Sequence, residues 1–287
     1  MDLPVVVGVD GSESSLRAVD WAADEAALRG LPLRVVYASL WERYERAVFA
    51  TGGERSEQIL NGVFVAAAHE RARKRVPDLK VSTEVIPDGP TPVLLHEARR
   101  ASVLVLGSRG RGDIADLLLG SVSLTVAGRA DCPVIVVRGG RDDEGGTPRR
   151  IVLGIGAEAA TANAVRFALE EAERRGAVVE AIRAWRRPAR EATDDPLLGE
   201  GPVFAHEKGA VQTLEAALLD APAGVELLKR TAEGSARKVL LDASHSADLL
   251  VVGARRHPGH FGLQLGRVTH TVLHHAACPV AVVPERV

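Results

Sequence analysis

Short apolar runs alternate with helix-length amphipathic segments along the whole chain, and that alternation is what first constrains the fold. Residues 5–9 (VVVGV) are apolar without a break and bounded by turn residues, as for a strand covered on both faces of a parallel sheet. Behind them Leu16, Val19, Ala23, Ala26 and Ala27 keep helical spacing. Ser12 or Ser14 caps that helix, and Gly30 with Pro32 ends it. Residues 33–38 predict a second strand, whereas 40–55 are too polar and irregular to assign. A helix over 56–75, a strand over 81–86, a turn at Asp88-Gly89-Pro90 and a helix over 91–100 follow. A strand over 103–106, a helix over 121–130 and a strand over 134–138 complete this half. Strands alternating with helices imply right-handed crossovers and a parallel sheet.

Laid against itself, the chain repeats. Gly8 and Gly154, Gly107 and Gly253, Gly120 and Gly266, and Cys132 and Cys278 are separated by one constant interval, too long for a solenoid repeat, so two whole domains follow. The second half predicts strands over 151–155, 178–184, 226–229, 249–252 and 280–283, and helices over 161–175, 207–219, 236–244 and 267–276. Residues 139–149, polar and Gly-rich, read as a linker between domains spanning 1–138 and 150–287. The last strands, 134–137 and 280–283, are apolar edges that invite pairing, within one chain or in a homodimer.

Composition narrows the function classes. The 287 residues are 46% hydrophobic and 26% charged with a net charge of −2, which excludes a disordered chain and a strongly basic nucleic-acid surface. At 3% aromatic residues, stacking platforms for single strands are also disfavoured, so no nucleic-acid partner is expected. No apolar run is long enough to cross a bilayer, and the start carries no leader-like pattern. A cytoplasmic protein without a membrane partner is expected. The two cysteines stand in matching Cys-Pro-Val contexts, which fits buried small side chains better than a disulfide framework.

The candidate chemistry sits in residues 107–121, G-S-R-G-R-G-D-I-A-D-L-L-L-G-S, between an apolar strand and a helix. Gly107, Gly110 and Gly112 are expected to take positive φ and turn backbone amides onto an anion. Gly120-Ser121 adds a hydroxyl and fresh N–H groups at a helix N-terminus, where the dipole favours negative charge. No Lys-Ser or Lys-Thr follows the last glycine, so this is not a Walker loop. In an open sheet of order 3-2-1-4-5, strands 1 and 4 are neighbours at the switch point, and Gly8-Val9-Asp10 faces this loop there.

Strand-Asp-Gly-Ser at the start, G-x2-G-x9-G-S after the fourth strand and a closing Cys-Pro-Val-Ile-Val-Val resemble the universal stress protein family. The duplication resembles its tandem members. The resemblance implies two Rossmann-like domains, each an open five-stranded parallel sheet with helices on both faces, and ATP, with Mg, as cofactor. It implies that Asp10 contacts the ribose or a phosphate-bound metal, that Gly8 allows close approach, and that Val36 and Ala38 line the adenine pocket with backbone groups. Gly107, Ser108, Arg109, Gly110, Arg111 and Gly112 would wrap the phosphates, with Gly120, Ser121 and Val122 at the terminal ones. Taken alone, Asp10 fits a helix-entry Asx turn equally well, and Arg109 and Arg111 fit a solvated face.

The second half departs from the pattern. Gly154, Gly253 and Gly266 are kept, but Gly156 replaces Asp10, Arg256 replaces Gly110 and Arg267 replaces Ser121, so a degenerate site and a role in pairing or partner binding are expected. His257, His260, His270, His274 and His275 read as a solvated or interface cluster, with no metal site built from protein alone. The function implied is an ATP-binding stress-response regulator and not an enzyme. A slow ATPase or nucleotidyl transferase on the same fold, or an interaction module without nucleotide, are the alternatives.

Overall fold

The computed structural model describes residues 3–39, 54–110, 119–138, 150–156, 161–186, 201–222, 224–255 and 265–285. The chain divides into two compact units, Met1–Arg138 and Gly139–Val287. The first unit runs β1 (Val5–Val9), α1 (Glu13–Arg29), β2 (Leu33–Ala38), α2 (Glu54–Arg75), β3 (Val81–Ile86), α3 (Pro90–Ala98), β4 (Val103–Gly107), α4 (Ser121–Arg129) and β5 (Val134–Val137). Its strands are all parallel in the order β3-β2-β1-β4-β5.

Each element forms for reasons visible in its residues. Val5, Val6 and Val7 are completely buried, because helices cover both faces of a parallel sheet and leave no polar side to the strand. Gly8 pairs with Val36 and Val9 with Tyr37. Residue 8 faces Leu94 of α3, while Tyr37 packs on Phe64 of α2 with ring centroids 6.0 Å apart, so adjacent positions serve opposite faces. Ser12 is the N-cap of α1, its Oγ accepting from the Ser15 amide at 3.1 Å, and Gly30 ends the helix at φ 64°. Two forked pairs clamp α2 to α1. Arg71 donates to both oxygens of Asp20 at 2.7 and 2.6 Å, and Arg75 does the same to Asp24.

The second unit repeats the order with β6 (Arg150–Gly154), α5 (Ala162–Arg175), β7 (Val178–Trp185), α6 (Gly201–Ala217), β8 (Leu227–Glu233), α7 (Ala236–Ser244), β9 (Leu249–Arg255), α8 (Arg267–His275) and β10 (Val280–Glu285). Its strands are parallel in the order β8-β7-β6-β9-β10. Several elements extend beyond their sequence-based bounds, three of them by the most. β8 runs on to Glu233 because its pairing with β7 continues to Trp185 opposite Glu233, carrying polar residues into the strand. β9 runs on to Arg255, paired with Glu285 of β10. α6 starts at Gly201, ahead of the apolar period that marks it in sequence. The unassigned stretch 40–53 lies outside the described residues.

Candidate functional site

The chain bends at the carboxyl end of β1 through an Asx turn. Asp10 Oδ1 accepts from the Ser12 amide at 3.0 Å and from the Ser12 hydroxyl at 2.6 Å. Gly11 makes the turn possible at φ 81°, and a Cβ there would lie 2.4 Å from the Phe64 ring, so any side chain is both strained and crowded. Gly11 belongs to the Asp-Gly-Ser motif of the sequence, and the structure adds the turn it makes between strand and helix.

At the end of β4 the loop is laced to α1 and α4. The Ser108 amide donates to the Val137 carbonyl at 3.0 Å, and its carbonyl accepts from the Gly120 amide at 2.9 Å. The Arg109 amide donates to Ser14 Oγ at 3.2 Å, and Ser123 Oγ donates to the Gly107 carbonyl at 2.7 Å. The expectation that Gly107 and Gly110 take positive φ is not met. Among described glycines only Gly11, Gly30, Gly176 and Gly234 do. What Gly107 supplies is proximity, since a Cβ on it would stand 2.7 Å from the Ser14 backbone. Gly8 likewise gives room to Leu106 and Leu94, side chains of the core.

Between the ends of β1 and β4 lies a cavity of about 570 Å³. Of the sequence-predicted residues, Gly8, Asp10, Val36, Ala38, Gly107, Arg109, Gly110, Gly120, Ser121 and Val122 line it. Ser108 does not, being buried with its backbone tied as above. Arg111 and Gly112 lie outside the described residues. Tyr37, within the expected 36–38 segment, lines it as well, whereas sequence reasoning missed the apolar wall of Pro90, Leu94, Leu106 and Leu119, whose hydrophobicity is indistinguishable from that of ordinary core residues.

The two ends of the cavity differ in chemistry. One is apolar, walled by Val36, Leu94 and Leu106. The other carries Arg109 and the first turn of α4, whose N-cap Gly120 offers no side-chain acceptor and which holds no acidic residue. Arg138, just beyond β5, has its pKa pushed down by burial and secondly by the nearby Arg109 cation. Two guanidinium groups therefore stand on this side of the loop. Asp10 stands opposite, with Oδ2 facing Gly110, where an added Cβ would come within 2.8 Å of it.

In the second unit, Gly154 packs under Leu240, and Gly156 follows β6. The Gly253 carbonyl accepts from Thr269 Oγ1 at 3.4 Å, Gly266 is the N-cap of α8 and Arg267 its exposed first residue. Arg256 lies outside the described residues, as do His257 and His260. His270 and His274 stack with ring centroids 4.5 Å apart, and no group of three or more potential metal ligands occurs among the described residues. No described helix is long and apolar enough to cross a membrane.

A doubly wound parallel sheet with its crevice where the winding reverses defines each unit as a Rossmann-like α/β domain. The chain belongs to the universal stress protein family, which matches residues 3–138 and again 147–284. A universal stress protein of Mycobacterium tuberculosis is 32% identical over 290 residues, covering 97% of this chain and 96% of the relative. One from Mycolicibacterium smegmatis is 31% identical over 300 residues, covering 98% and 97%. The crystal structure of a universal stress protein from Archaeoglobus fulgidus shares the fold with a TM-score of 0.63 at 16% identity, covering 99% of this chain and 98% of that one.

Proposed function

We propose that the first unit binds ATP and that the protein is a cytoplasmic regulator of the stress response, working through nucleotide occupancy and not through turnover. The observation that carries this reading is the cavity across the β1/β4 switch, apolar at one end and prepared for an anion at the other. A ligand with a planar apolar base and a polyanionic tail matches both ends. Adenine lies against Val36, Ala38 and Leu94, where backbone groups at the end of β2 meet its polar edge. The phosphates run toward Arg109 and the amides of Ser121 and Val122, which need no side-chain acceptor displaced.

Asp10 stands between the two ends. With Oδ1 committed to Ser12, the other oxygen is placed for a ribose hydroxyl or a cation. A single carboxylate among hydroxyls fits a Mg²⁺ that arrives with the phosphates better than a resident metal, which would need more protein ligands. When bound, Mg²⁺ would neutralise phosphate charge beside Asp10. Among the described lining residues Arg109 is the cation nearest the phosphate end, a clamp suited to holding phosphates.

The test is nucleotide analysis of the purified protein together with calorimetric titration of ATP-Mg. About one site per chain is expected, weakened by changes at Asp10 or Gly110. Protein that neither retains nucleotide nor binds added ATP-Mg would sink the proposal.

A further inference from the structure

The carboxyl end of the second unit's sheet repeats the backbone frame of the first unit's crevice with a different set of charged side chains. Tyr37, Arg109 and Ser121 line one cavity in the first unit. At the equivalent positions of the second stand Arg183, near the end of β7, Arg255, at the end of β9, and Arg267, which opens α8. Gly156 takes the place of Asp10. At these positions the changes remove negative charge or add positive charge and Arg109 persists as Arg255, while Arg138, just beyond β5, gives way to Pro284. The scaffold beneath is unchanged. Gly266 caps α8 with φ −60° and ψ 155°, as Gly120 caps α4 with φ −60° and ψ 141°, and Thr269 binds the Gly253 carbonyl as Ser123 binds that of Gly107.

Arg183 is held in place over the sheet end. Its Nη1 donates to the Ile155 carbonyl at 3.1 Å, and Ile155 is the counterpart of Val9, which lines the first cavity. Its Nε is buried without a hydrogen-bond partner. A buried donor on a charged group is costly until an acceptor meets it. Glu285, opposite Arg255, does not play that part. Its carboxylate accepts from the Asn163 and Ala164 amides of α5 at 3.1 and 2.9 Å. The first turn of α8 holds no acidic residue either.

We propose that the carboxyl end of the second unit's sheet is a metal-independent site for a small oligophosphate of the pyrophosphate class, held by Arg183, Arg255 and Arg267. Guanidinium forks match phosphate oxygens, and the loss of a carboxylate at 156 removes the group that would call for a bridging cation. Arg183, reaching across to β6, takes the place of Tyr37 beside the base end, so the site recognises phosphate without a nucleoside. This inference uses the equivalence of the two crevices and does not require the first unit to hold ATP.

Calorimetric titration of the full chain with inorganic pyrophosphate in EDTA, at physiological ionic strength, tests it. One binding event per chain is expected, which excess adenosine does not compete away and which Arg183→Leu and Arg267→Ser each weaken about tenfold or more. Arg267 is exposed, so its substitution leaves the fold intact and keeps the test decisive even if Arg183→Leu unfolds the unit. Absence of pyrophosphate binding in EDTA overturns the inference, as does binding indifferent to Arg267→Ser. Loss of the event on Ser121→Ala overturns it too, because the anion would then sit in the first unit. A parallel ATP-Mg titration reads the first unit separately, so its failure would remove the nucleotide reading and leave the pyrophosphate result standing.

Discussion

Asp10→Asn separates two roles that one carboxylate holds. Oδ1 closes the turn into α1 by accepting from the Ser12 amide at 3.0 Å and the Ser12 hydroxyl at 2.6 Å. An asparagine carbonyl accepts both bonds, so the turn and the helix cap survive. What disappears is the charge on Oδ2, the atom facing Gly110 across the cavity. A hydrogen bond to a charged group contributes about 1.5–3 kcal/mol, and about 1.4 kcal/mol is a factor of ten in affinity. ATP-Mg binding should therefore weaken about 10- to 150-fold on the same arithmetic. Without Mg²⁺ the sign reverses, because a bare carboxylate repels phosphate, and the asparagine variant should bind ATP in EDTA at least as tightly as the wild type. Calorimetry with and without Mg²⁺ measures both arms, and a thermal melt checks the turn, whose loss would cost about 1 kcal/mol. If Asp10→Asn binds ATP-Mg within about twofold of wild type while melting normally, the carboxylate serves the turn alone and the nucleotide role argued for it fails.

Gly110→Ala brings a Cβ to 2.8 Å from Asp10 Oδ2 and forces the carboxylate aside, so ATP-Mg affinity should fall severalfold with little change in melting; unchanged affinity would contradict the geometry. Gly11→Ala combines φ 81° with a Cβ 2.4 Å from the Phe64 ring, which is itself backed by Tyr37. A loss of about 2–4 kcal/mol in urea unfolding is expected from left-handed strain plus overpacking. Glu285→Ala strips the acceptor from two α5 amides, one of them buried, and should cost about 2–4 kcal/mol. Faster hydrogen exchange at residues 163 and 164 would localise that loss, and exchange unchanged there would refute it. The Arg71 pKa is raised, chiefly by its hydrogen bond to Asp20 and against the opposing effect of burial. A cation whose folded pKa exceeds its unfolded value contributes fully below its ordinary, strongly alkaline value and loses that contribution only as pH rises beyond it. Arg71→Met should therefore lower stability by the same amount throughout the neutral and mildly alkaline range, and a pH-dependent difference there would count against the pairing.

Legibility in the sequence followed the physics of each signal. Strands covered on both faces, such as β1 and β4, are continuous apolar runs and announce themselves. Edge strand β8 alternates only weakly, with Lys229 and Arg230 exposed, and its true length comes from its ladder with β7. Glycines were found by spacing but misread in mechanism. Gly107 is there because α1 passes too close for a side chain, a fact that depends on a segment far away in sequence. The polar half of the cavity was legible, since Asp10, Arg109 and Ser121 stand at the ends of apolar strands or at a helix start within a spaced glycine pattern. The apolar half was not, because Leu94 and Leu106 look like any core leucine until the fold leaves space beside them.

The repeat turns this distinction into a controlled comparison. Bonds that hold the crevice together recur in both units: the hydroxyl of Ser123 or Thr269 on the strand carbonyl, and the extended glycine cap ahead of α4 or α8. They are properties of a sheet and helix that must meet at a fixed distance, so they persist whatever the crevice holds. Three of the cavity-lining positions change in one electrostatic direction, Asp10 to Gly156, Tyr37 to Arg183 and Ser121 to Arg267, while Arg109 recurs as Arg255. Stability alone gives no reason for that direction, since burying the Arg183 Nε without a partner is unfavourable and a tyrosine would fill the position at lower cost. A ligand does give a reason. The second crevice is therefore better described as retuned than as decayed, and exchanging Arg267 for the serine of the first unit should weaken its anion affinity about tenfold or more while leaving its fold untouched.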